Sequence, residues 1–282
     1  MGEGIKVKEI NLRELQMIEF DLLLAFDAVC REHGLRYYMD GGTLLGAVCY
    51  DGFIPWDDDI DLKMPRPDYE KLLTLQSAFP PHIALEAPNR KHCDYTFLKL
   101  VDLRTVLEEQ NSYKNKTTGV YIDVLPMDGH PDDPERCKKH IRAVRRYGSL
   151  FHESLTNFRN MKRSSNRMTQ AKGWLYSILY SPWILNRKMT ELVKKYPYEA
   201  AKNVGLLVDG DPIRERFEKS WLEPPVMMDF EGHLFPAPNE AEKHLSIFYR
   251  KPISRELYYQ NLPKIPSEHN HLVYWKEDPC RD

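Results

Sequence analysis

The 282-residue sequence predicts an α/β (α+β) fold: a mixed sheet core flanked by helices, with a basic helical insertion. Three observations carry this. Helical and strand-like periodicities intermix over the first 130 residues, as expected of one layered core. A block at 136–195 holds fifteen of the 40 Lys/Arg and only two of the 42 Asp/Glu, so a basic module sits inside an otherwise acidic chain. An apolar content of 42%, with five Trp and sixteen Tyr, provides for a sizeable core. The resulting division is a core at 10–131, an insertion at 132–202 and a segment at 203–282 that packs back on the core, all within one domain.

Taken in order, Asn11 and Glu14 form a capping box, and Leu12, Leu15, Ile18, Leu22, Phe26 and Val29 follow at helical spacing up to a stop at Gly34. Leu35–Met39 reads as a short strand ending in Asp40-Gly41-Gly42, Thr43–Val48 as a short helix, and Gly52–Asp57 as a loop. In Asp59-Ile60-Asp61-Leu62-Lys63-Met64 apolar and charged residues alternate as on a strand. Pro65 and Pro67 open the next helix. Tyr95–Val101, Thr105–Glu109 and Val120–Leu125 are three further strands. Residues 132–157 read as helix, 158–172 as polar loop and 173–196 as helix again.

Five scattered cysteines without a CxxC spacing argue against a disulfide framework and a zinc ribbon, and favour a reducing cytoplasm. Residues 1–8 are polar, and no run of about eighteen apolar residues exists, so neither a leader nor a membrane span is expected. The Glu268–His271 stretch reads as an exposed tail, and no nucleic-acid-binding motif is present.

Chemistry concentrates at Asp57-Asp58-Asp59-Ile60-Asp61. Carboxylates this close repel one another unless a cation sits among them. On a strand, Asp59 and Asp61 share a face about 7 Å apart. An EF-hand alternative fails: its sixth position would be Leu62 instead of Gly, and its twelfth Asp68 instead of Glu. Asp123, inside the apolar run Tyr121–Leu125, supplies a third carboxylate if the two strands are neighbours. Gly41-Gly42-Thr43 offers a tight turn and free amides at a helix start, both suited to phosphate.

These residues resemble the LicD family, the phosphocholine-transferase branch of the nucleotidyltransferase-like superfamily. The similarity rests on Gly42–Val48, Gly52–Asp61, Met64-Pro65-Arg66, Phe97–Leu100 and Ile122–Asp128, and on the late Phe230-Glu231-Gly232 and Phe235–Pro238 segments. The resemblance implies a nucleotidyltransferase-like core and a Mg²⁺ (or Mn²⁺) ion held by Asp59, Asp61 and Asp123. It implies transfer of a phospho-alcohol, such as phosphocholine from CDP-choline, to a sugar hydroxyl of a cell-surface glycan, with CMP leaving. Within it, Gly41, Gly42 and Thr43 would cradle the donor phosphate, Arg66 and Lys99 would face the leaving nucleotide, and Asp57 and Asp58 would support the loop. Relatives similar to fukutin move other phospho-alcohols, so the donor stays open.

Two segments depart from the family pattern: Cys49-Tyr50 replaces an Arg-His pair, and Tyr249-Arg250-Lys251-Pro252 replaces a Tyr-Gly-Asp-Tyr-Met segment. The alternatives are a nucleotidyltransferase that adds NMP to a sugar, small molecule or protein, and a non-catalytic nucleotide- or lipid-binding scaffold. The block at 136–195 reads as a solvated helical pair, as a surface for anionic lipid at the inner face of a membrane, which a lipid-linked glycan acceptor would favour, or as a guide for an anionic glycan or nucleic acid.

Overall fold

The computed structural model describes residues 8–88, 95–109, 116–155, 157–208, 215–260 and 271–276. In chain order the elements are α1 (Leu12–His33), β1 (Tyr38–Met39), α2 (Gly41–Tyr50), β2 (Asp61–Pro65), α3 (Arg66–Leu72), β3 (Ile83–Glu86), β4 (Leu98–Glu109) and β5 (Lys116–His130). The helices α4 (Pro134–Leu155), α5 (Asn157–Lys162), α6 (Arg167–Leu179) and α7 (Pro182–Val193) follow. The chain then forms β6 (Asn203–Gly205), β7 (Arg216–Glu218), β8 (Val226–Phe230), β9 (His233–Ala237), α8 (Ala241–Tyr249), α9 (Arg255–Gln260) and β10 (His271–Trp275). This is the expected α/β architecture.

The chain divides into two compact units, the first built from residues 1–86, 99–125 and 220–282, the second from 87–98 and 126–219. In the first unit the strands run in the order β1-β2-β5-β4-β10, with β3 also on β4. β10 pairs antiparallel with β4 from Thr105 to Glu109, and β3 from Lys99 to Asp102. α1 begins with the expected capping box, Asn11 Oδ1 accepting from the Glu14 amide at 3.0 Å and Glu14 Oε2 from the Asn11 amide at 3.1 Å. It ends at Gly34, whose φ of 62° is the left-handed stop. Its inner side buries Leu22, Leu23 and Phe26, while Leu15 and Ile18 pack with Leu107, Val120 and Val273 of the sheet.

The two strands expected at 95–101 and 105–109 are one continuous strand, β4. There Thr105 Oγ1 donates to the Asp102 carbonyl at 2.9 Å and accepts from the Val120 amide at 2.7 Å. Gly119 lies against that carbonyl, where a Cβ would collide with it. The side chain thus replaces a ladder contact, and the polar Asp102-Leu103-Arg104 step reads locally as a break although pairing continues.

In the second unit the far end of β5 pairs with β6, and β6 with β7. Cys137, Ile141 and Val144 of α4 pack against Met189 and Val193 of α7. The expected loop at 158–172 is instead α5 and the first turns of α6. Asn166 caps α6 through its side chain, accepting from the Met168 and Thr169 amides at 2.9 and 3.2 Å. Polar residues there had suggested a loop, and the cap turns one of them into a helix start.

Candidate active site

A buried ion pair frames the site. Asp40 precedes α2 in extended conformation, and its carboxylate makes no side-chain cap. It turns instead to Lys63 Nζ on β2 at 2.5 Å and to His244 Nε2–H on α8 at 2.7 Å, with all three side chains buried. Burial alone would raise the Asp40 pKa, but Lys63 and His244 outweigh it and bring it to about 2. Burial lowers the pKa of His244, so a neutral imidazole donates to an ionised carboxylate. Three elements distant in sequence are tied at one residue beside Gly41.

The glycines serve the carboxylates. Gly41 has φ +53, and a Cβ on it would lie 3.0 Å from Asp61 Oδ2. A Cβ on Gly42 would overlap the Asp57 carboxylate. The Thr43 hydroxyl accepts from the Asp61 amide at 2.9 Å, and the Asp40 amide donates to the Asp61 carbonyl at 3.1 Å. Gly41, Gly42 and Thr43 therefore seat Asp57 and Asp61 against the start of α2.

Two clamps hold the loop that carries the acids. Gln16 on α1 donates to the Asp57 carbonyl at 2.9 Å. Glu231, in the β8–β9 turn, accepts from the Phe53 amide at 3.1 Å and pairs with Arg13 at 2.6 Å. This gives the Phe230-Glu231-Gly232 motif a physical role: it anchors the approach to the acidic run.

Carboxylate oxygens of Asp57, Asp58 and Asp59 come within 4.8 Å of one another. Asp59 is exposed on the approach to β2, which begins at Asp61, so the two are not both strand residues as the alternation suggested. The Asp123 amide donates to the Ile60 carbonyl at 2.9 Å, bringing β5 alongside this approach. Asp61 is pushed well above the usual carboxylate range, first by burial, then by Asp59, Asp123 and Asp40. Glu19, fully buried on α1, rises for the same reasons: burial first, then Asp59, Asp58, Asp57 and Asp123. Glu19 was missed in the sequence. The signal was available, since Glu19 lies beside Ile18 in the stripe that buries Leu15 and Leu22.

Lys99 is buried on β4 and pairs with Asp123 at 2.9 Å, its ammonium 3.2 Å from the centroid of the Tyr121 ring. Arg66 is 3.5 Å from Glu70 one turn along α3 and lies over the Tyr69 ring. Asp59, Asp61, Asp123 and Lys99 are thus gathered with Gly41, Gly42 and Thr43, and Arg66 contacts Glu70 and Tyr69 on its own helix. Tyr249, in the departing late segment, is raised by burial and then by Asp40, Asp57 and Asp61, which places its hydroxyl in the field of the acids. Oxygen donors in this number and proximity, with an excess of negative charge, suit a hard divalent cation. Asp57, Asp58 and Asp59 could hold one, with Asp61 and Asp123 beside them. Glu268, His269 and Asn270 lie outside the described residues.

The other departing position, Tyr50, centres an aromatic cluster. Its ring centroid is 6.3 Å from that of Trp56, 5.8 Å from Tyr258 and 5.7 Å from Tyr259. The Tyr259 hydroxyl donates to the Cys49 carbonyl at 2.5 Å, and Arg255 pairs with Asp51, so α9 is fixed onto the end of α2. Tyr50 and Trp56 are half-buried and Tyr259 is exposed, leaving ring surface open one residue before Asp57.

Asp40→Asn removes the carboxylate charge 2.5 Å from the buried Lys63 ammonium and is expected to destabilise the fold by about 3–5 kcal/mol in urea unfolding at neutral pH. The depressed Asp40 pKa contributes stability that is complete above the unfolded carboxylate value and is lost as pH falls toward about 2. The gap between wild type and Asp40→Asn in urea midpoint should therefore narrow as pH drops below about 4. A gap independent of pH would show that the ion pair is not its source.

Comparison with known proteins shows what the chain is similar to. The family model described as LicD/FKTN/FKRP, nucleotidyltransferase domain, matches residues 34–140. The lipopolysaccharide cholinephosphotransferase LicD of Haemophilus influenzae is 28% identical over 254 residues, covering 86% of this chain and 91% of that protein. An uncharacterized protein of Rickettsia prowazekii is 29% identical over 125 residues, covering 44% of this chain and 42% of that protein. Mannosyltransferase regulator 4 of Saccharomyces cerevisiae is 32% identical over 114 residues, 38% of this chain but 9% of that protein. The matched region spans α2, the acidic run, Lys99 and Asp123, and over it the chain is similar to the LicD/FKTN/FKRP nucleotidyltransferase domain.

Proposed function

We propose that this protein is a phosphotransferase that moves phosphocholine from CDP-choline to a hydroxyl of a lipopolysaccharide or related glycan, with a Mg²⁺ or Mn²⁺ ion. The observation that carries the reading is the gathering of Asp57, Asp58, Asp59, Asp61 and Asp123 against the Gly41-Gly42 turn, in a chain similar along most of its length to a cholinephosphotransferase. A bound divalent cation supplies charge neutralisation at the donor pyrophosphate. Asp57, Asp58 and Asp59 would hold it, joined by Asp61 and Asp123.

The chain's own residues do the rest. The acceptor oxygen bonds to the phosphorus bearing choline, the bond from that phosphorus to the CMP phosphate breaks, and CMP leaves. Asp123, held in place by Lys99, takes the hydroxyl proton. Lys99 would lie beside the departing phosphate. The partly exposed rings of Tyr50 and Trp56 suit the quaternary ammonium of choline, a cation without hydrogen-bond donors that binds to aromatic rings. The altered Cys49-Tyr50 step thereby becomes part of donor choice.

A second reading, transfer of NMP with pyrophosphate leaving, is favoured by the matched domain's description as a nucleotidyltransferase. Incubation with CDP-choline, Mg²⁺ and lipopolysaccharide separates the two: phosphocholine transfer releases CMP, and pyrophosphate from a nucleoside triphosphate supports the alternative. Asp59→Asn should lower CMP release about a hundredfold or more while leaving the circular dichroism spectrum unchanged. Full activity in that variant removes Asp59 from the site.

Trp56→Ala should raise KM for CDP-choline about 5- to 30-fold, corresponding to about 1–2 kcal/mol of cation–π attraction. The change for CDP-ethanolamine should be smaller. Equal changes for both donors would assign Trp56 to loop packing instead.

A further inference from the structure

Helix α6 turns its more apolar side to water. Its inner side is small and aromatic: Gly173 lies so close to α5 that a Cβ would stand 2.7 Å from the Lys162 amide nitrogen, and Tyr176 and Tyr180 reach the Phe158 ring at 5.3 and 6.0 Å. The outer side carries Met168, Leu175, Ile178 and Leu179, with 72%, 52%, 68% and 56% of their surface exposed. Leu175 follows Met168 by seven residues, and Ile178 and Leu179 follow Leu175 by three and four, the spacing of a helical stripe. Trp174 and Trp183 flank it, 56% and 47% exposed. Single exposed apolar residues are ordinary, but a continuous helical face of them marks a surface that meets something apolar.

Cations border this face. The Lys162 ammonium stands 4.6 Å from the Trp174 ring centroid, and the Arg187 guanidinium 6.0 Å from that of Trp183. Beside the stripe, a cleft of about 580 Å³ joins Lys139, Arg142, Arg146 and Lys188 to Leu179 and Ile184. Basic heads next to apolar and tryptophan side chains match the boundary of an anionic bilayer, where rings sit at headgroup depth and long basic side chains reach the phosphates. Among the described residues no helix is long and apolar enough to cross a membrane, so the contact would be peripheral.

We propose that the outer face of α6 and the start of α7 dock on an anionic lipid surface, the cleft between α4 and α7 receiving a headgroup phosphate. Charge argues against a second copy as the occupant, because each copy would present the same block of fifteen Lys/Arg and two Asp/Glu. Nucleic acid would satisfy the cations but leave Met168, Leu175 and Ile178 in water.

The test is flotation of the full chain with vesicles of equal parts phosphatidylglycerol and phosphatidylcholine, and with phosphatidylcholine alone. The protein should float with the anionic vesicles and stay behind with the neutral ones, and added salt should weaken the association. The double variant Leu175→Asp/Ile178→Asp changes exposed positions and should retain the wild-type urea midpoint. Its vesicle binding should fall at least tenfold, while Lys139→Glu/Arg142→Glu should abolish the preference for anionic lipid. Three results would overturn the proposal: no flotation with either vesicle, undiminished binding by the correctly folded Leu175→Asp/Ile178→Asp protein, or a dimer in sedimentation that the same double variant dissociates.

Discussion

Mutual repulsion of carboxylates is the constraint on which the first unit is organised. Asp57, Asp58 and Asp59 face one another, Asp61 and Asp123 stand beside them, and Glu19 comes from below on α1. Groups this close cannot all ionise at no cost. The protein answers within its own structure by raising Asp61 and Glu19 and by placing Lys99 against Asp123. The remaining excess of negative charge is the property on which the proposal of a divalent cation, and through it of phosphate, rests.

Holding such a cluster together requires supports from elsewhere in the chain. Asp40 joins α2, β2 and α8 through Lys63 and His244, while Glu231 and Gln16 hold the loop from both sides. The glycines remove side-chain volume where the carboxylates must approach the α2 backbone. α9 closes over the far end of α2 and forms the Tyr50 cluster. The two segments that depart from the family pattern, at Cys49-Tyr50 and Tyr249–Pro252, thus lie at the aromatic cluster and in the field of the acids.

What was legible in the sequence is what is local. The Asn11–Glu14 box and the Gly34 stop delimit α1 because capping is decided within a few residues. The acidic run and the Gly41-Gly42 turn were visible for the same reason. The buried Asp40–His244 bond spans 204 residues and the Arg13–Glu231 pair 218, and no local pattern announces either. The sequence pattern divides β4 after Val101 because its continuity depends on Thr105 and Gly119, and Asn166 reads as loop because a cap and a loop use the same residue. In α6 the helical period was readable, but which side faces water is decided by the packing of Gly173 on α5.

The central claim is that the acids at 57–61 and Asp123 form a divalent-cation site. Thermal unfolding of the full chain against increasing Mg²⁺ or Mn²⁺ tests it most directly, since a ligand that binds only the folded state raises the midpoint with its concentration. The account predicts a saturable rise in wild type that is lost in Asp59→Asn and retained in Trp56→Ala. A wild-type midpoint insensitive to both ions, or one that rises equally in Asp59→Asn, would contradict it.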